Sequence, residues 1–201
     1  MTSVTASVGG AVTVGRNVDA PRALVWWALL DPGQLVRYWP PPGATVPLAS
    51  VTIEPWLGGR FENTMVDEDG AEYRMSCTFL DAVAPERFTF CEPASGIVST
   101  TVLAELGPNR TRVVVRQVNV SELYRSPEAM EGFEASFDRL AAHLAVLVAA
   151  GVRPPQPAGW PSTASASWGT GSSSKYGRLR GLLKLAAPPS SWPSRMSRPS
   201  A

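Results

Sequence analysis

With 201 residues, 44% of them hydrophobic and 17% charged, the chain has room for one ordinary domain and a remainder. A body of about 150 residues buries roughly 70% of its unfolded surface, so a core can form without staples. Two cysteines, Cys77 and Cys91, are too few for a disulfide scaffold, and the net charge of +1 hides a split: residues 1–151 hold 11 Arg against 17 Asp and Glu, whereas residues 152–201 hold 5 Arg, 2 Lys and no acid.

The longest apolar run, 140–152, is broken by His143 and falls short of the roughly 18 residues a membrane span needs. The N-terminus shows neither a basic leader nor a continuous apolar block of signal-peptide type, so a cytoplasmic protein with reduced thiols is expected.

The first strand is expected over 11–18, where Val12, Val14, Arg16 and Val18 alternate. A short helix follows over 20–30, with Pro21 in its first turn, Asp19 or Ala20 as cap, and Leu24, Trp27 and Ala28 or Leu30 at helical spacing. Trp26 and Trp27 lie about 100° apart on that helix, so only one can point fully inward. Asp31 and Pro32 start a second helix carrying Leu35, Tyr38 and Trp39 on one side, and the prolines at 40, 41 and 42 end it.

Six further strands are expected over 45–54, 58–66, 71–83, 86–92, 97–106 and 110–120, separated by Gly-, Pro- and Asp-bearing turns. Short sequential connections imply an antiparallel meander. The last element spans 126–151, capped by Ser126 and Pro127 and ended by Gly151. Its apolar stripe is Phe133, Phe137, Leu140, Leu144 and Leu147, and its acids crowd the N-terminal part, where the helix dipole favours them. The order implies an α+β fold, a sheet wrapped around one long helix. Residues 152–201 contain 8 Pro, 11 Ser and 5 Gly, the composition of a disordered basic tail, so the domains are expected at 1–151 and 152–201.

Five stretches in this order resemble the START-like (SRPBCC) superfamily, and within it the homologues of the activator of heat-shock protein 90 ATPase. They are RNVDAPRALVWWALLDPGQLVRYWPPPG at 16–43, EPWLGGRF at 54–61, DGAEYRMSCTFLDAVAPERFTF at 69–90, NRTRVVVRQ at 109–117 and EGFEASFDRLAAHL at 131–144. The resemblance implies a helix-grip fold: an antiparallel curved sheet of about seven strands around a long C-terminal helix, with two short helices after strand one. It implies little about activity, since this fold serves many roles. Where the family usually has Trp-Trp followed by Gly-Pro, this chain has Tyr38, Trp39, Pro40 and Pro41, which stiffens the exit of helix two.

Such a fold leaves a gap at one end of the sheet, and Tyr38 and Trp39 are expected either to gate a pocket there or to plug it as core. Trp56 is a further aromatic candidate. Alternation puts Phe61, Asn63 and Met65 on one face of their strand, and Tyr73, Met75, Cys77 and Phe79 on one face of the next, facing either cavity or solvent according to register. With Phe137 and His143 of the long helix these residues are the candidate ligand-binding set, and Asn63, if buried, needs a hydrogen-bond partner. Cys77 and Cys91 are placed about equally far from the turn near Ala84, so they are expected either opposite one another or as two separate buried thiols.

Three functions follow as expectations. The first is a non-enzymatic domain that binds a small apolar molecule, without cofactor or metal. The second is a chaperone-type interaction module; full-length activators of this family carry an additional N-terminal domain for which 201 residues leave no room, which counts against it. The third is a cyclase- or hydratase-type enzyme using Tyr73, Asn63, Glu54 or His143. No converging acid and base are visible for that chemistry, and Glu54, Arg60 and Glu62 read more simply as a solvated ion cluster. A lone histidine makes no metal site. In the tail, KYGRLRGLLKLAA at 175–187 suits an anionic membrane surface, nucleic acid or the acidic body of the chain itself, or is simply solvated.

Overall fold

The computed structural model describes residues 4–8 and 10–155. Elements run in the order β1 (Val4–Val8), β2 (Ala11–Val18), α1 (Arg22–Leu30), α2 (Pro32–Tyr38), β3 (Thr52–Ile53), β4 (Arg60–Val66), β5 (Glu72–Val83), β6 (Arg87–Glu92), β7 (Ile97–Gly107), β8 (Arg110–Val118) and α3 (Pro127–Ala149). The strands form one antiparallel sheet in the order β1-β2-β8-β7-β6-β5-β4-β3. The meander of six strands is therefore present, and β2 closes against its last member. The seven expected strands gain an eighth, β1, which pairs with β2 through a tight turn at Gly10.

Helix boundaries follow their local chemistry. Asp31 ends α1, donating its N–H to the Trp27 carbonyl at 2.8 Å, and at once caps α2, its side chain accepting from the Gln34 N–H at 3.0 Å. This double use is why the two helices are separate. The residue ahead of α1 is Pro21, without a side-chain cap, rather than Asp19 or Ala20 as expected. At the far end of α3, Gly151 adopts φ +64, its N–H bonds the Val148 carbonyl and the Val152 N–H bonds the Leu147 carbonyl, both at 3.0 Å. This is a Schellman stop, which a left-handed glycine permits.

The span expected as a strand over 45–54 is mostly not one. Pro47 has no N–H to donate to a ladder, and Leu48–Ser50 turns as a 3-10 helix, leaving a single bridge at Thr45 and the short β3.

The inner face of the sheet carries Val12, Val14 and Val18 from β2, Phe61 from β4, Phe79 from β5, Phe88 from β6, Leu103 from β7 and Val113 from β8, all buried. Against it lie the α1 residues Leu24, Val25 and Trp26 and the α3 stripe Phe137, Leu140, Leu144 and Leu147. Of the tryptophan pair, Trp26 is buried and Trp27 half-buried. A buried hydrogen bond from Thr111 Oγ1 to the Ala20 carbonyl, 2.8 Å, ties β8 to the entry of α1. No helix among the described residues is long and apolar enough to cross a membrane. Residues up to Pro155 form one compact unit. The expected basic tail, with its stretch at 175–187, lies outside the described residues from 156 onward.

Candidate functional site

A cavity of about 80 Å³ lies between the sheet, α3 and the end of α2. Its floor is the inner face of three neighbouring strands: Phe88 and Phe90 of β6, Ser99 and Thr101 of β7, and Val113, Val115 and Gln117 of β8, with Phe61 of β4, beyond β5, at one side. Phe133, Ser136, Phe137 and Leu140 of α3 form the roof, and Leu29, Tyr38 and Trp39 close the end. Seven of these side chains are aromatic and none is charged. Leu29, Trp39, Phe90, Val115, Gln117, Phe133 and Ser136 of the lining are half-buried rather than buried, so the cavity is open to solvent in part.

The aromatic wall is continuous. Phe61 stacks on Phe90 with ring centroids 5.1 Å apart and planes 6° from parallel, Phe90 stacks on Phe88 at 6.2 Å, and Trp39 meets Phe61 edge-on at 6.2 Å. Such contacts add to burial and fix the shape of the wall.

Tyr38 is held from two directions. Arg139 donates Nε–H to its backbone carbonyl at 3.0 Å, its ring stacks on His143 at 5.9 Å, and His143 is itself fixed by donating Nε2–H to Gln34 Oε1 at 2.9 Å. The Tyr38 hydroxyl is buried and has no hydrogen-bond partner among the described residues, and this burial pushes its pKa well above the ordinary tyrosine value. The ring is therefore neutral at any physiological pH.

Of the candidate set, the structure brings Tyr38, Trp39, Phe61 and Phe137 to the cavity. The others lie elsewhere. Asn63, Met65, Met75 and Cys77 share the inward face of β4 and β5, as the pairings Phe61–Cys77, Asn63–Met75 and Met65–Tyr73 require, but they stand beyond the cavity wall. Asn63 is buried, and its Nδ2 has no partner among the described residues. Cys77 is buried, and desolvation pushes its thiol up to about 12, so it stays protonated and inert.

Tyr73 and Trp56 are corrections. Tyr73 has the inward parity but sits at the hairpin end of β5, 54% exposed, with its hydroxyl donating to Asp67 Oδ2 at 3.1 Å. Trp56 belongs to the β3–β4 turn and is 58% exposed. In that turn Gly58 adopts φ +84, and a Cβ on Gly59 would overlap the Glu54 carbonyl, so both glycines are structural. His143 does not line the cavity but stacks on the ring of Tyr38, which does.

The two cysteines do not face each other. Val83 pairs with Arg87, so the β5–β6 turn is centred one residue beyond Ala84, and a bulge between Phe79 and Asp81 shifts the register once more. Cys91 thus pairs with Thr78, on the opposite face of the sheet from Cys77. Glu54, Arg60 and Glu62 form the surface ion cluster read from the sequence, with Arg60 Nε 3.1 Å from Glu54 and Nη1 3.7 Å from Glu62. The Arg60 hydrogen bonds hold the Glu54 carboxyl below its ordinary value. Among the described residues no three His, Cys, Asp or Glu side chains gather as a metal site.

The family model of the activator of Hsp90 ATPase homolog 1-like proteins matches residues 19–145, more than half the chain, from just before α1 into α3. The chain belongs to this family. Its fold is that of known members and neighbours. An AHSA1-like protein from Aeromonas hydrophila superposes with a TM-score of 0.57 at 22% identity, covering 73% of this chain and 99% of that one. A Rhodobacter sphaeroides protein gives 0.64 at 19%, covering 73% and 99%, and an Arthrobacter aurescens protein gives 0.60 at 24%, covering 71% and 91%. No curated protein sequence matches the chain.

Within this activator-homologue frame, the departure Tyr38-Trp39-Pro40-Pro41 falls at the end wall of the cavity. The floor residues Ser99, Thr101 and Gln117 were missed by sequence reasoning. Small polar residues in a strand read as solvent-facing, and only their alternation with Thr100 and Val102, and with Arg116, could have placed them inward.

Proposed function

We propose that this member of the family is a non-enzymatic domain that holds a small, neutral, mostly apolar molecule in the cavity between the sheet and α3. The observation that carries the reading is the composition of the wall: seven aromatic rings and no ion. Desolvating an unpaired charge there has no compensation, so ions are selected against, whereas a flat ring gains both burial and aromatic contact. Size narrows the choice further. About 80 Å³ is near half the roughly 150 Å³ that accommodates benzene in a closed cavity. A ligand is then one ring or less, seated partly in the open side near Trp39 and Phe133. The wall offers no carboxylate, imidazole, amine or thiol to act as acid or base, which supports binding over catalysis.

The test is a titration of the full-length protein with toluene and with benzoate, followed by amide and methyl NMR shifts. Saturable shifts with toluene at Leu29, Val113, Val115 and Leu140, and none with benzoate at equal concentration, are expected. Equal response to both, or no response to toluene, would sink the reading.

A second reading, a chaperone-type interaction module, is favoured by Trp56 and Leu57, exposed at 58% and 66% on the β3–β4 turn, and by the family's name. Capture of an Hsp90-type chaperone by the wild type and its loss in Trp56→Ala/Leu57→Ala would support it.

A further inference from the structure

Three uncharged polar side chains sit together on the floor of an otherwise apolar cavity. Ser99 pairs with Gln117 of β8 on one side and Phe90 of β6 on the other, and Thr101, two residues along, pairs with Val115 and Phe88. The strand alternation turns all three to the same face, with directly opposed Cβ atoms about 5 Å apart. Ser99 and Thr101 are 2% and 3% exposed. Ser136 on the roof is already used, its hydroxyl donating to the Phe133 carbonyl at 2.6 Å. By contrast, Ser99, Thr101 and Gln117 have no side-chain hydrogen bond among the described residues.

The two hydroxyl oxygens are not sealed in the core but open onto the cavity, beside the half-buried Gln117, and polar groups that find neither a protein partner nor bulk water there are costly. Valine occupies the neighbouring floor positions 113 and 115 and would fill the same space without that cost. Resting on the ligand-cavity reading above, we infer that Ser99, Thr101 and Gln117 form a neutral polar strip that selects single-ring ligands carrying one hydroxyl or carbonyl oxygen. The strip binds the oxygen, and the rings of Phe88 and Phe90 bind the apolar body. Hydroxyl and amide groups both donate and accept, so the strip serves a phenolic O–H as well as a carbonyl.

Phenol and toluene, which differ by O–H against CH₃, separate this inference from the cavity reading itself. In a wall without polar partners, phenol loses its water bonds for nothing, and toluene binds tighter by about tenfold or more. With the strip engaged, phenol binds the full-length protein at least as well as one-fifth of the toluene affinity, and the triple substitution Ser99→Ala, Thr101→Val, Gln117→Leu moves the ratio toward toluene by about tenfold. Thr101→Val alone keeps shape and serves if the triple variant does not fold, with a shift of about threefold in the same direction. Toluene ahead by more than fivefold in the wild type, or a ratio unmoved by the substitutions, overturns the strip and leaves the cavity standing. Failure of both compounds to bind removes the strip and the cavity reading together.

Discussion

Arg139 on α3 donates its Nε–H to the backbone carbonyl of Tyr38 at 3.0 Å, with a second, longer approach of Nη2 to the Trp39 carbonyl at 3.5 Å. Those carbonyls belong to the last turn of α2, where helix geometry leaves them without intrahelical donors and where the dipole favours a cation. The contact fixes the end wall of the cavity to its roof. Arg139→Met therefore costs about 1.5 kcal/mol, the low end for a charged hydrogen bond because the site is half-buried and water replaces part of it. Arg139→Lys recovers little, since an ammonium lacks the planar fork. Urea unfolding of the three proteins checks this, and a Lys variant as stable as wild type would refute it.

Tyr38→Phe is expected to stabilise the protein. The hydroxyl is buried with no partner among the described residues, so its removal relieves a desolvation cost of about 1 kcal/mol without losing a bond, and keeps the ring stacked on His143. For a domain of this size the gain corresponds to a rise in Tm of roughly 2–4 °C. A fall in Tm would mean that the hydroxyl is hydrogen-bonded in solution.

How far the sequence reaches is visible in these same residues. Asp31, Ser126 and Gly151 marked helix ends because capping is local chemistry, and the five-residue stripe of α3 marked its buried face because helical periodicity survives any tertiary detail. Tyr38, Trp39, Phe61 and Phe137 were legible as cavity residues once the fold was in mind. Depth along a strand was not. Alternation assigns Tyr73 the same face as Met65 but cannot say that the roof ends before reaching it. Register across a turn was not legible either: the bulge between Phe79 and Asp81 moves Cys91 to the other face, and no residue type in that stretch announces it.

The pH dependence of stability carries a signature of His143. Burial first, and then the nearby Arg37 guanidinium, hold its imidazole below the ordinary 6.5, so the folded state keeps it neutral while the unfolded chain protonates near that value. Above the unfolded pKa both states are neutral and the group contributes nothing. As pH falls below it, the unfolded state binds the proton first, and stability is lost until the folded pKa is reached. Denaturant unfolding between about pH 7.5 and about pH 5.5 should show this slope in wild type and a shallower one in His143→Gln, which retains a donor for Gln34. That window lies above the ordinary carboxylate range, so Glu54 and Glu128, whose pKa values are lowered, do not contribute to it. Identical slopes would remove His143 from the account.

Phe61 and Trp56 lie five residues apart and are both large aromatics, yet they should respond oppositely to truncation. Phe61 is 3% exposed and contacts Trp39, Phe79 and Phe90, so Phe61→Ala removes a ring from the centre of the aromatic wall and leaves a void that the stiff strands cannot close. The expected loss is about 3–5 kcal/mol. Trp56 stands outside the core on its turn, so Trp56→Ala stays within about 0.5 kcal/mol of wild type. Because Phe61 also lines the cavity, Phe61→Leu is the informative partner variant: it keeps most of the volume, remains folded, and should weaken toluene binding by loss of the aromatic face alone. Unfolding by urea and toluene titration on the same three proteins separate the two roles. If Trp56→Ala were the variant that lost toluene binding, the ligand would have to sit at the β3–β4 turn instead of under α3.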